Sequence, residues 1–175
     1  MKYLPFENIT YKTKLDSEEV LSKLSEVIEP KKTFRMVGAF GSGNHKPYEG
    51  SINGTSFNIN RIIGYRNSFL PRINGIIEKD INGIIEKDIN GTKIKVKMRL
   101  HVVVIIFIGI WFGGIGIGCL AFLSTMFNSE GFKPIVLIPF GMLILSYALV
   151  TGGFKYESIK SKKYLTQLFE ADIEK

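Results

Sequence analysis

Two long runs without a charged side chain, Val102 to Leu123 and Pro134 to Gly153, constrain this chain more than any other feature. At a rise of about 1.5 Å per residue, each is long enough as a helix to cross a hydrocarbon core of roughly 30 Å. A chain of 175 residues has little interior in which to bury two such helices. The pattern predicts a transmembrane helical hairpin over residues 102–154, whose connecting loop, Ser124 to Lys133, carries only Glu130 and Lys133 as charges.

The formal net charge is +7, and it is unevenly placed. Lys93, Lys95, Lys97 and Arg99 precede the first run, and Lys155, Lys160, Lys162 and Lys163 follow the second. Because Lys and Arg beside a span are retained on the cytoplasmic side, both termini are expected there. Met1 to Tyr11 lacks the apolar core of a cleavable signal peptide, so the first run is expected to act as an uncleaved signal-anchor. The abundance of Ile, Lys and Asn suggests an AT-rich bacterial genome, so the expected location is a bacterial inner (plasma) membrane, crossed in multi-pass fashion. The single cysteine, Cys119, lies inside the first run and has no intrachain partner.

Residues 1–101 read as a cytoplasmic α+β domain. Met1 to Leu15 shows no sustained period and reads as an extended arm. Asp16 with Glu19 has the character of a capping box. Val20, Leu21, Leu24, Val27 and Ile28 then form one stripe of an amphipathic helix ending before Pro30. From Lys32 to Leu100 the period is two, and a small antiparallel sheet of about five strands is expected, with helices before and after it. The first strand contains Phe34, Met36 and Phe40 and turns at Gly41 to Asn44. Tyr48 to Ile52 and Thr55 to Tyr65 flank an Asn53-Gly54 hairpin turn, and Asn67 to Asn74 opens the fourth strand, with Pro71 tolerable only at an edge, bulge or strand start. Thr92 to Leu100 is the cleanest strand, with Ile94, Val96, Met98 and Leu100 on one face and the four cations on the other. Residues 155–175 are expected to form a separate amphipathic helix that returns to the sheet with Leu165, Leu168 and Phe169, which would make the hairpin an insertion before a C-terminal helix.

The octapeptide INGIIEKD occurs at Ile73 to Asp80 and again, unchanged, at Ile81 to Asp88, before Ile89-Asn90-Gly91 begins a third copy. Eight is even, so the in/out alternation survives duplication, but Asn74, Asn82 and Asn90 each offer an Asn-Gly turn and the register is left open. Asn90-Gly91 is the expected turn into the last strand, with the duplicate extending or bulging the fourth strand.

Signals of catalysis are absent. Gly38, Gly41 and Gly43 lie close together without the GxxxxGK[ST] pattern, and His45, His101 and Cys119 have no metal-ligand spacing. No enzyme activity, cofactor or metal is expected. Lys93, Lys95, Lys97 and Arg99, extended by Arg61, Arg66 and Arg72, read either as a solvated face that serves orientation or as a face toward anionic lipid. Aromatic residues do not interleave with this face, so no nucleic-acid partner is expected. Gly109 and Gly113, Gly114 and Gly118, and Ala148 and Gly152 are small-residue pairs suited to helix packing, within the hairpin, in a homo-oligomer or with a membrane-protein partner.

The stretches INRIIGYRNSFLPRI from Ile59, KMRLH ending at His101, and IPFGMLILSYAL followed by GGFKYESIK resemble an uncharacterised family of small two-span membrane proteins of Bacteroidota-type bacteria. The resemblance covers roughly Phe34 to Phe169 and implies no activity or catalytic residue; the octapeptide duplication departs from its pattern. In architecture alone, a small β-domain joined to two spans is similar to membrane-disrupting effectors that sense cyclic nucleotides, in which the spans come first. Together these features predict a membrane-anchored binding, sensing or assembly module that is not an enzyme, with a ligand-gated effector as the alternative.

Overall fold

The computed structural model describes residues 4–31, 45–79, 91–128 and 137–174. In chain order the elements are β1 (Phe6–Thr13), α1 (Ser17–Val27), β2 (Ile28–Glu29), β3 (Tyr48–Asn53), β4 (Ser56–Arg61), β5 (Arg72–Lys79), β6 (Thr92–Arg99), α2 (Val102–Asn128), α3 (Leu137–Leu168) and β7 (Asp172–Glu174). The fold is α+β. Its strands form one seven-stranded sheet in the order β2-β3-β4-β5-β6-β1-β7. Only β2 and β3 run parallel; every other neighbouring pair is antiparallel, which makes the sheet mixed.

Several expectations are corrected. The N-terminal stretch is not an arm. β1 lies inside the sheet between β6 and β7, with Ile9, Tyr11 and Thr13 buried on one face. The expected strand around Phe34 to Phe40 and its turn at Gly41 to Asn44 lie outside the described residues. The β3–β4 hairpin closes on the pair Asn53 and Ser56, so its loop is Gly54-Thr55, one residue later than expected. Gly54 has φ +57°, which suits a type II′ turn, with positive φ at the first central position alone. The fourth strand begins at Arg72, immediately after Pro71, and contains Asn74-Gly75 in its interior. The first copy of the octapeptide is therefore strand rather than turn, whereas Asn82 and Asn90 lie outside the described residues. Gly75 faces Phe57 across the β4–β5 pair, and a Cβ there would stand 2.0 Å from the ring. The ring covers the glycine and supplies the apolar surface that it lacks.

The α1 helix behaves as its sequence implies. The Asp16 side chain accepts from the Glu19 amide at 2.7 Å, and the Glu19 carboxylate accepts from the Asp16 amide at 2.9 Å. Val20 and Leu24 are fully buried against the sheet's inner face.

The largest correction concerns the end of the chain. No separate C-terminal helix follows the second apolar run, because α3 is a single helix of 32 residues and a short strand, β7, comes after it. The hairpin is therefore not an insertion before a terminal helix; its second arm is that helix. The first part of α3 is apolar. Its later part buries Phe154, Glu157, Ser158, Ser161 and Leu165, a helical stripe that lies on the inner face of the sheet. Phe169 packs edge-on to Tyr11 with centroids 5.8 Å apart, and Tyr164 meets Tyr48 at 5.4 Å. At its C-terminus the Ala171 amide donates to the Thr166 carbonyl at 3.1 Å and Glu170 takes φ +48°, which turns the chain into β7.

Both α2 and α3 are long and apolar enough to cross a membrane; their most apolar windows have mean hydropathies of 2.5 and 1.8, and only 6% and 11% of those windows are buried. Trp111 Nε1 on α2 donates to Ser146 Oγ on α3 at 3.1 Å.

A candidate anion-binding face beside the apolar helices

With α1 and α3 on one side, no described helix covers the other side of the sheet. Strand alternation places Lys93, Lys95, Lys97 and Arg99 on it, with Lys95, Lys97 and Arg99 exposed. The register lays out their neighbours row by row. Lys93 stands between Glu78 of β5 and Lys12 of β1, and Lys95 between Ile76 and Thr10. Lys97 stands between Asn74 and Asn8, and Arg99 between Arg72 and Phe6.

On this face of β1, β5, β6 and β7 the described carboxylates, Glu78 and Glu174, lie at the end away from α2, whereas the row of Arg72 and Arg99 reaches acids only at Glu49 of β3 and Glu29 of β2. Lys95 pairs with Glu78 at 2.7 Å, and Glu174 of β7 lies 2.9 Å from both Lys93 and Lys12. Those two lysines hold the Glu174 carboxyl below the usual carboxylate range. The four cations expected to act together thus divide into two pairs, of which Lys93 and Lys95 are neutralised within the chain. Lys97, Arg99 and Arg72 have no carboxylate partner among the described residues. Arg72 and Arg99 are directly opposed on adjacent strands, an arrangement that destabilises a sheet when nothing neutralises it. Arg99 is three residues from the first residue of α2, a chain distance of at most about 10 Å. Arg72 also lines an open depression of about 460 Å³ with Lys31, Gly50, Ser51, Asn58 and Asn60.

Behind the sheet lies a polar group that the sequence analysis did not single out. Glu157 of α3 is fully buried; its Oε2 accepts from Arg61 Nη1 of β4 at 2.6 Å, and its Oε1 accepts from the Tyr65 hydroxyl. Burial, together with that carboxylate, pushes the Tyr65 phenol up to about 12, so it stays protonated and donates. Arg61 is thereby withdrawn from the open face. Glu7 of β1 is similarly held by Lys155 at 2.8 Å and Lys162 at 2.7 Å, both from α3. Burial alone would raise the Glu7 carboxyl, but the two lysines outweigh it and hold it low. A signal for Glu157 did exist, since it is the lone acid in a basic run and shares a helical face with Phe154, Ser161 and Leu165.

A Cβ added at Gly109, Gly113, Gly114, Gly118 or Gly152 would meet nothing within 4 Å, so none is needed for close approach between α2 and α3. Ala148 is exposed. The glycine that does permit a close approach is Gly153, whose added Cβ would lie 2.9 Å from Phe69 Cδ2, and whose carbonyl accepts from Asn67 Nδ2 at 3.2 Å. His101 closes the first turn of α2, its Nδ1 accepting from the Val103 amide at 3.1 Å. Among the described residues no group of three His, Cys, Asp or Glu is placed to hold a metal ion.

No protein-family model, no curated protein and no solved structure matches this chain, so no residue role is transferred from a relative.

Proposed function

We propose that the chain is a binding or sensing module anchored in a bacterial inner membrane by α2 and α3, with the sheet and both termini on the cytoplasmic side, and that it is not an enzyme. The observation that carries this reading is the basic sheet face, where Lys97, Arg99 and Arg72, toward the α2 end, have no carboxylate partner among the described residues. That is the end an anionic leaflet would approach, and each basic residue near such a surface contributes roughly 1 kcal/mol. Two further features support it. The apolar windows of α2 and α3 are almost wholly exposed, a surface that lipid would cover. The first and last strands, β1 and β7, are neighbours in one sheet, which supports an even number of crossings.

The test is site-directed labelling of the full chain in native membranes. In a Cys119→Ala background, a cysteine replacing the exposed Glu18 of α1 is expected to react with a membrane-impermeant maleimide in inverted vesicles and not in intact spheroplasts. Reaction in spheroplasts overturns the orientation, and recovery of the protein in the soluble fraction overturns the anchoring.

A second reading, a ligand-gated effector that oligomerises through its apolar helices, is favoured by the open space around Gly109, Gly113, Gly114 and Gly118. Glycine faces left unpacked by their own chain suit contact with another copy. Under this reading Gly113→Leu lowers the subunit count seen by native mass spectrometry; an unchanged count removes it.

A further inference from the structure

We propose that Arg72, Lys97 and Arg99 form a binding site for the phosphate of a hydroxylated phosphate ester, with the depression beside Arg72 taking the hydroxyl-bearing group. This site rests on the reading of the chain as a binding module and gives that module a ligand class. The argument begins with the charges that are not balanced. On the same sheet face Lys12, Lys93 and Lys95 each have a carboxylate within 2.9 Å, supplied by β5 or β7. Toward α2 the adjacent supply ends: the acids in the row of Arg72 and Arg99 are Glu49 of β3 and Glu29 of β2, which Asn60 of β4 separates from Arg72. Arg72 and Arg99 stand opposite each other with Lys97 adjacent, and the residues flanking Lys97 are Asn74 and Asn8 rather than acids. Directly opposed residues in an antiparallel pair have Cβ atoms about 5 Å apart, so two guanidinium groups and an ammonium are confined to a small area and repel one another. An anion placed between them removes that repulsion.

Phosphate is the anion that the donors fit. Two planar guanidinium forks offer bidentate hydrogen bonds to tetrahedral oxygens, which a carboxylate could share with only one fork at a time. Asn74 and Asn8 add neutral donors beside Lys97. Asn60 is the β4 residue facing Arg72, and with Asn58, Ser51 and Lys31 it lines the depression of about 460 Å³ next to that arginine. Its described lining contains no aromatic ring, so it suits hydroxyls rather than a stacked base. Gly50 at its edge has φ +156° and lets β3 approach the β4 backbone, since a Cβ there would fall 2.0 Å from the Asn58 carbonyl oxygen. Such a phosphate ester can come from a lipid headgroup or from a free polyol phosphate.

The experiment is a titration of the full chain in a neutral detergent at fixed ionic strength, read as ligand-induced stabilisation. The probes are dioctanoyl phosphatidylglycerol, glycerol 3-phosphate and dioctanoyl phosphatidylcholine. Saturable stabilisation by phosphatidylglycerol and none by phosphatidylcholine is expected. Arg72→Gln and Arg99→Gln each weaken the response about tenfold or more, and Lys95→Gln leaves it within about twofold. An equal response to glycerol 3-phosphate assigns the site to a free phosphate ester, and a response to the lipid alone assigns it to a headgroup. The site is overturned if no anionic probe stabilises the chain, or if Lys95→Gln weakens the response as much as the arginine variants, which is the signature of diffuse charge. The labelling experiment above is unaffected by either result, so failure of the site and failure of the anchoring are read separately.

Discussion

Single residues decide how the sheet and α3 hold together. Glu157 is fully buried, whereas the Arg61 side chain keeps 28% of its surface exposed, so the two ends of this ion pair are not equivalent. Removing the arginine strands a carboxylate in the core, while removing the carboxylate leaves a guanidinium that can turn toward water. Arg61→Met is therefore expected to cost about 3–5 kcal/mol of stability and Glu157→Gln less, measured by chemical or thermal unfolding in detergent. A second prediction concerns acid. Because the folded-state pKa of Glu7 lies below its ordinary value of 4.5, its stabilising contribution is complete above that value and fades as the pH falls below it. Acid unfolding that is less steep below pH 4.5 in Glu7→Gln than in the parent chain is the expected outcome. At this scale the sequence was partly legible: the capping box at Asp16 and the alternation in β6 were read directly, because each is decided by neighbours within a few positions. The Glu157, Arg61 and Tyr65 group joins residues 92 and 96 positions apart, and no local period encodes such a contact.

At the scale of elements, glycine has opposite meanings in the strands and in the apolar helices. Gly75 and Gly153 each sit under an aromatic ring, of Phe57 and Phe69 respectively, whereas Gly113 faces open space. Gly75→Val and Gly153→Val are expected to destabilise the fold by about 1–3 kcal/mol, because a well-packed site cannot accept the added carbons. Gly113→Leu is expected to leave unfolding unchanged, so the three variants form one comparative series. The octapeptide supplies another prediction. Deleting residues 81–88 preserves the pairing of Lys79 with Thr92 and leaves about four residues between them, a length that suits a hairpin loop. The shortened chain is expected to fold and to melt within a few degrees of the parent, measured by thermal unfolding in detergent. Element identity was legible where hydrophobic period and length agreed, as in α1, α2 and β6. It failed at β1, where Phe6 to Thr13 carries only three buried alternate positions, and at β7, whose DIE sequence has no apolar pattern and is a strand only because β1 offers it an edge.

For the molecule as a whole, two helices long and apolar enough to cross a membrane could be read from the sequence, since that depends on composition and length alone. The continuity of α3 could not. Charge appears abruptly at Lys155, and a change of solvent along a chain resembles a change of element; in fact the backbone runs on unbroken from Leu137 to Leu168. This continuity has a mechanical consequence. Gly152 and Gly153 weaken a helix that would otherwise be a stiff rod, each by about 1 kcal/mol relative to alanine. At that joint Phe69 presses on Gly153 and Asn67 holds its carbonyl. The loop carrying Asn67 and Phe69 therefore splints the weakest point of α3, so that the apolar arm and the sheet-facing arm meet as one rod.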